Sequence, residues 1–371
     1  MREALEQLNQ AEQDWLAELK QRKAAGEIIV GTFCLYTPPE LIAACGAIPI
    51  RLAMCGSHVA EREAEHLMRA DTCAYCKAGV GARAAGDPWS DVVTHIVQAT
   101  TCDEMRRGSQ VWETELGIPY LRFSFPRTWQ GDAPLLLFRN EMQWVADEIA
   151  KLTGRTLTGD ALIHQIELWN EVRSLLTRIQ EIRRRGGIGA RDFFMLVSYS
   201  FTLPPDRLVP ILQKGIDRLS TEPAQDRRPR IMLMGSAIAR DDYLLLDLLD
   251  EAGVAVVADR ICTGTRSFDL QVPTADPLAS LAHDYLMHSF CAFRRPNTPM
   301  LDEAIAERDR SQIDGVIVKT LQFCDSWGHE VERIRRALDR PLLHIQSNYS
   351  PSEAGAMRTR VQAFIEMLRG G

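Results

Sequence analysis

Gly315-Val316-Ile317-Val318-Lys319-Thr320-Leu321-Gln322-Phe323-Cys324 (315–324) is the stretch that decides how the chain is read. A short run dominated by β-branched and apolar residues, opened by glycine, reads as a buried strand. A cysteine follows it directly. Working outward, the same texture recurs. Arg230-Ile231-Met232-Leu233-Met234-Gly235-Ser236 reads as a strand and a turn. Val254 to Asp259 and Leu342 to Ile345 read as further strands, and 353–369 as a closing helix. Towards the amino terminus, 28–33, 47–52, 91–97 and 119–123 carry four more strand signals. Pro38-Pro39-Glu40 opens a helix through Cys45, because proline suits a helix's first turn. Strands alternating with helices predict α/β architecture with parallel sheets.

Between these two regions the texture changes. Helical patterns follow one another at 138–152, 159–185 (led by Thr158-Gly159-Asp160), 190–199 and 205–219, and Ser220 to Pro229 reads as a linker. At the start, Leu5, Leu8, Ala11, Trp15 and Leu19 recur at three- and four-residue spacing, which predicts a helix over about 3–24. The expected organisation is an N-terminal helix (1–28), a first α/β domain (29–137), a helical segment (138–224) and a second α/β domain (225–371). The fold class is thus two Rossmann-like parallel-sheet domains flanking a helical segment. A weak parallel between the halves suggests a pseudo-repeat.

Of 371 residues, 46% are apolar and 25% charged, as in ordinary soluble proteins. A net charge of -7 argues against a chain built to coat nucleic acid. The densest basic run, Arg183-Arg184-Arg185, ends a helical pattern and reads as a solvated last turn favoured by the helix dipole. No apolar leader and no stretch near the ~18–20 residues that span a bilayer is seen, so a cytoplasmic protein without a membrane partner is expected. The nine cysteines are then expected to be buried apolar residues, thiolate ligands or nucleophiles rather than disulfides.

Three cysteines follow strands: Cys34, Cys102 and Cys324. In open α/β sheets the carboxyl ends of strands face the ligand crevice, so a crevice between the halves can bring Cys102 and Cys324 together. Cys73 and Cys76 form a Cys-Ala-Tyr-Cys pair. Such a set is compatible with structural cysteines, with a zinc or iron–sulfur site, or with thiol redox chemistry, and spacing alone leaves these open. Cys45 and Cys291 read as core packing and His95 as a core histidine. Cys34 and Cys55 stay unassigned. Gly235-Ser236 reads as a strand-to-helix turn, with phosphate binding the competing reading. No Walker A motif or dinucleotide-binding glycine motif is present.

Seven segments, in order, resemble the family of 2-hydroxyacyl-CoA dehydratases, which also holds the benzoyl-CoA reductase subunits and the double-cubane cluster proteins. They are GTFCLYTPPELIAACGAIPIRL (31–52), ADTCAYCKAGVG (70–81), TTCDEMRR (100–107), PRIMLMGS (229–236), DRICTGTRSFD (259–269), DGVIVKTLQFCDSWGHE (314–330) and GAMRTRVQAFIEML (355–368). The resemblance implies a 4Fe–4S cluster in the cleft between the α/β domains, held by Cys73, Cys102 and Cys324. Cys76, where the family usually has an apolar residue, is the alternative ligand, and Cys262 is expected to be structural. The resemblance also implies an acyl-CoA substrate, a homologous partner subunit and a separate ATP-hydrolysing iron–sulfur activator that delivers low-potential electrons. A benzoyl-CoA-reductase-like subunit is the first expectation. A dehydratase subunit and a homodimeric double-cubane (8Fe–9S) reductase are the alternatives, and a zinc-binding, non-catalytic protein is the outsider. Leu35 stands where some dehydratase subunits carry a hydroxyl residue, which favours a reductase or a partner subunit.

Overall fold

A computed structural model of the chain describes residues 2–53, 55–218 and 228–370. Most of the expected linker, 220–227, lies outside them. The chain starts with helix α1 (Arg2–Ala24). It continues through β1 (Ile29–Thr32), α2 (Pro39–Ala44), β2 (Ile48–Arg51), α3 (His58–Glu63), α4 (Ala74–Ala84), α5 (Pro88–Val92), β3 (His95–Thr100), α6 (Asp103–Thr114) and β4 (Tyr120–Ser124). Four helices follow: α7 (Asp132–Thr153), α8 (Gly159–Arg184), α9 (Ala190–Tyr199) and α10 (Pro205–Asp217). The second half runs β5 (Arg230–Gly235), α11 (Leu244–Glu251), β6 (Ala255–Arg260), α12 (Pro277–Met287), α13 (Thr298–Arg310) and β7 (Gly315–Leu321). It ends with α14 (Asp325–Gly328), α15 (Val331–Leu338), β8 (Leu342–Ser347) and α16 (Ala354–Gly370).

The strands form two four-stranded sheets ordered β2-β1-β3-β4 and β6-β5-β7-β8, and every ladder is parallel. The two orders are the same, strand for strand, so the halves repeat one topology. Helices cover both faces of such sheets, which is why β6 and β7 are buried along their whole length. Burial extends to Lys319 on β7, whose ammonium is paired with the buried Asp242 carboxylate.

One apolar core passes through both sheets and the helical section, from Ile29 and Trp112 through Phe193 and Leu196 to Ile231 and Ile317. Helix α8 is the strut that joins them. At 26 residues it is roughly 39 Å long, and Thr158 caps it by accepting from the Ala161 amide. Near its middle, Arg173 pairs with Glu40 of α2, and Tyr285 of α12 donates to the same carboxylate at 2.9 Å. At its far end, Arg183 reaches β6, where its guanidinium meets Asp259 at 2.6 Å and donates to the Val256 carbonyl at 2.8 Å.

Two expectations need correction. Arg183 is not part of a solvated turn: it is fully buried, because the last turn of α8 lies on β6 and Asp259 supplies a buried counter-charge. The strand expected from 91 begins only at His95, since Asp87 caps Pro88 by accepting from the Ser90 amide and so opens a short helix. Lys77 to Gly81 lie within α4. Gly81 is needed there because a Cβ would stand 1.7 Å from the Ala60 carbonyl oxygen of α3, so its absence lets the two backbones touch.

Candidate metal centre

With strand order 2-1-3-4, successive connections leave β1 and β3 in opposite directions, and the same holds for β5 and β7. The crevice at the carboxyl ends of such strand pairs is where ligands bind in doubly wound sheets. Past β1 come Phe33 and Cys34, and past β3 come Thr101 and Cys102. Past β5 comes Ser236, and past β7 comes Cys324. All of them line one cavity of about 680 Å³. Both switch points therefore open onto the same space.

The repeat explains the matched cysteines. Cys102 and Cys324 each follow the third strand of their half, and each is followed by an aspartate that begins a helix. Cys73 reaches the cavity differently, as the residue before α4. The amide of Ala74 donates to the Gln322 carbonyl at 3.2 Å, which stitches the start of α4 to the loop that carries Cys324. The Cys73 and Cys324 thiols are near enough across this seam for each to influence the other's ionisation. The Cys73 amide also donates to Glu104 Oε2 at 3.3 Å, tying it to α6 beside Cys102. Thus Cys73, Cys102 and Cys324, separated in sequence, wall one cavity, together with Cys76, whose thiol donates to the Met105 sulfur at 3.4 Å.

Three more cysteines line the same cavity: Cys34, Cys262 and Cys291. Cys291 was expected to be packing and Cys262 structural. Cys291 does pack against two apolar clusters, and both cysteines also stand on the cavity wall. The signal for Cys262 was present, since it follows a strand as Cys102 does. Cys291 has no such signal. Cys45 is core, as expected, and burial pushes its thiol up to about 11. Cys55 is buried elsewhere, against Asp87 and Ser90. Gly235-Ser236 is a turn that precedes no helix, since α11 starts only at Leu244. Ser236 Oγ accepts from the Leu321 amide at 3.2 Å and so braces the end of β7.

Burial dominates the electrostatics. It pushes the Cys102 thiol well above its ordinary range, and Cys34 up to about 11. At Cys73 the neighbouring Cys324 thiol lowers the value, but Cys76 and burial outweigh it. These sulfurs become thiolates only against added positive charge, which is what metal ions supply. Behind Cys262 and Cys291 lies the opposite imbalance. Arg266 is 1% exposed, donates to the Ser289 carbonyl at 2.6 Å and forms no ion pair among the described residues, with Glu303 acting on it only from a distance, and its Nε and Nη1 are buried without a hydrogen-bond partner. A buried, always-charged guanidinium without a counter-ion is costly. An anionic group in the adjoining cavity would offset it.

Among the described residues, no three Cys, His, Asp or Glu side chains stand close enough to share a single metal ion. A tetrahedral zinc site needs its sulfurs about 2.3 Å from one centre. An iron–sulfur cluster takes its thiolates on different irons and so accepts a wider spread. The donor set, the apolar walls such as Phe33 and Trp327, and the buried Arg266 suit the chemistry of the second.

Comparison with known proteins supplies the rest. The profile of the 2-hydroxyglutaryl-CoA dehydratase D-component family matches residues 34–368. A candidate dehydratase subunit of Escherichia coli (strain K12), YjiM, is 26% identical over 98% of this chain and 97% of its own. The beta subunit of (R)-phenyllactyl-CoA dehydratase from Clostridium sporogenes is 21% identical over 94% of each chain. A benzoyl-CoA reductase subunit from Thauera aromatica is 23% identical over 85% of this chain and 81% of its own. Among the described residues, no helix is long and apolar enough to cross a membrane.

Proposed function

The chain belongs to the 2-hydroxyglutaryl-CoA dehydratase D-component family, and from that premise we propose that it is the iron–sulfur subunit of a low-potential enzyme acting on acyl-CoA thioesters. In this reading Cys73, Cys102 and Cys324 hold a 4Fe–4S cluster in the cavity between the two sheets. The observation that supports it is that these three cysteines, from both halves of the chain, line one cavity. When bound, the cluster supplies single low-potential electrons and, with three protein thiolates for four irons, one coordination position open to a further ligand.

The chain's own residues do the holding and the tuning. Cys73 and Cys102 sit at the amino ends of α4 and α6, where the helix dipole favours thiolate over thiol. Phe33, Met105, Phe293 and Trp327 keep water from the sulfurs, and Arg266 adds positive charge behind them. Cys76 is a buried neighbour of these ligands. The reaction is reductase-like, as for a benzoyl-CoA reductase subunit, which Leu35 favours over a hydroxyl-bearing dehydratase site. Electrons come from a separate ATP-hydrolysing activator, and the enzyme is completed by a homologous partner chain.

The test is substitution. Cys73→Ala, Cys102→Ala and Cys324→Ala each lose most of the iron from anaerobically purified protein, measured by metal analysis and by the visible absorbance. Cys45→Ala keeps both. Full iron in Cys102→Ala overturns the ligand assignment.

A further inference from the structure

Three arginines near the cysteine cavity form no ion pair among the described residues, and each is held by carbonyl groups instead. Arg51, which lines the cavity, donates through Nε to the Phe33 carbonyl at 3.2 Å and through Nη1 to the Cys262 carbonyl at 2.9 Å. Arg266 donates to the carbonyl of Ser289, just before Cys291 in the chain. Arg294, just after Cys291, is fully buried and donates through Nη1 to the Leu286 carbonyl at 2.9 Å. Its amide donates to the Cys291 carbonyl at 2.9 Å, and its guanidinium carbon stands 4.8 Å from the centre of the Phe290 ring. Five nitrogens of these side chains are buried without an acceptor: Nη2 of Arg51, Nε and Nη1 of Arg266, and Nε and Nη2 of Arg294.

The acidic groups around them do not supply the missing charge. The Tyr36 hydroxyl donates to the same Ser289 carbonyl at 2.6 Å, and burial pushes it well above its ordinary range, so it stays a neutral phenol. Burial likewise raises the Cys34 thiol to about 11 and lifts that of Cys262. Glu303 is paired with Arg260, as is Asp269. Four guanidiniums thus stand against two carboxylates. A guanidinium does not deprotonate in a protein, and a buried cation without its counter-charge is costly. Negative charge in the cavity lowers that cost. The unpartnered nitrogens have no accessible surface, so they act on the cavity by field rather than by contact.

We infer that Arg51, Arg266 and Arg294 form a fixed positive shell that makes the group held in this cavity easier to reduce. This rests on the cluster reading above and adds to it three residues outside the ligand set. Uptake of one electron from the external donor adds one negative charge in the cavity, and neither a proton nor a bond has to change. Positive charge fixed nearby in a low-dielectric interior favours the more negative state, so each arginine raises the reduction potential. The carbonyl bonds hold the guanidiniums in place, so their field is set before the electron arrives and needs no rearrangement. None of the three reacts; they tune.

The experiment is a redox titration of the full chain, purified anaerobically with its iron, followed by visible absorbance and electron paramagnetic resonance. Arg51→Gln, Arg266→Gln and Arg294→Gln each shift the reduction equilibrium about tenfold towards the oxidised state, a midpoint lower by about 59 mV for one electron. Arg51 is half-buried, so its variant disturbs the fold least. Arg51→Lys keeps the charge but loses the guanidinium fork, and its midpoint stays at the wild-type value. So does that of Arg358→Gln, on the exposed face of α16. Unmoved midpoints in the glutamine variants, or an Arg51→Lys midpoint as low as that of Arg51→Gln, overturn the inference. A second arm is urea unfolding of the iron-free chain. There Arg294→Gln removes an unanswered buried cation and raises the urea midpoint; a lowered midpoint contradicts the charge shell. Iron is measured on every sample. A wild-type chain without iron contradicts the cluster reading, and the urea arm still decides the shell; iron with unmoved potentials leaves the cluster reading standing and removes the shell.

Discussion

At the scale of single residues, buried charge decides more than exposed charge. Arg183 and Asp259 are both fully buried, and Asp259 Oδ1 also accepts from the amides of Ile261 and Thr265, at 3.0 and 2.9 Å. Arg183→Met leaves that carboxylate buried without its cation, and the expected loss is about 3 kcal/mol or more. Urea unfolding measures it; a change under 1 kcal/mol contradicts the assignment. Exposed pairs such as Arg2 and Glu6 contribute far less. This burial was not legible in the sequence, where an arginine triplet ending a helix looks the same whether it meets water or a sheet. The cysteines behave the other way. Cys102 and Cys324 were legible because each follows a strand and precedes Asp. Cys73 was matched only by resemblance, and Cys291 had no strand before it, so its place on the cavity wall was invisible.

At the scale of elements, strands and long helices were read closely, because buried parallel strands and amphipathic helices impose strong patterns. Helices α8 and α9 fall within a residue of expectation at each end. The short elements around the site were not read. Helix α3 and the first turn of α4 have little apolar periodicity, and what fixes them is backbone contact at Gly81. Gly81→Ala places a methyl group against the Ala60 carbonyl, so α3 and α4 must part, at a cost of about 1–3 kcal/mol. Since Cys73 sits at the start of α4, the same variant is expected to bind less iron. Thermal unfolding and metal analysis together check this; unchanged stability with full iron refutes the close-contact account.

At the scale of the whole molecule, two sheets of one topology send residues past their strand ends to one cavity, and an apolar core joins them through the helical section. Such a shared core predicts one cooperative unfolding transition, with tryptophan fluorescence and circular dichroism superimposing in guanidinium. Two separated transitions contradict it. The repeat itself was only faintly legible, as similar strand–helix runs ending near cysteines; sheet order is set by long-range pairing that local sequence does not carry. Function follows from this scale too, because neither half alone carries the three sulfurs. The most direct test is therefore the iron and acid-labile sulfide content of the anaerobically purified chain, read with its oligomeric state. The account predicts about four irons and four sulfides per chain in an assembly with a like subunit. One zinc per chain, or a protein with neither iron nor sulfide, contradicts it.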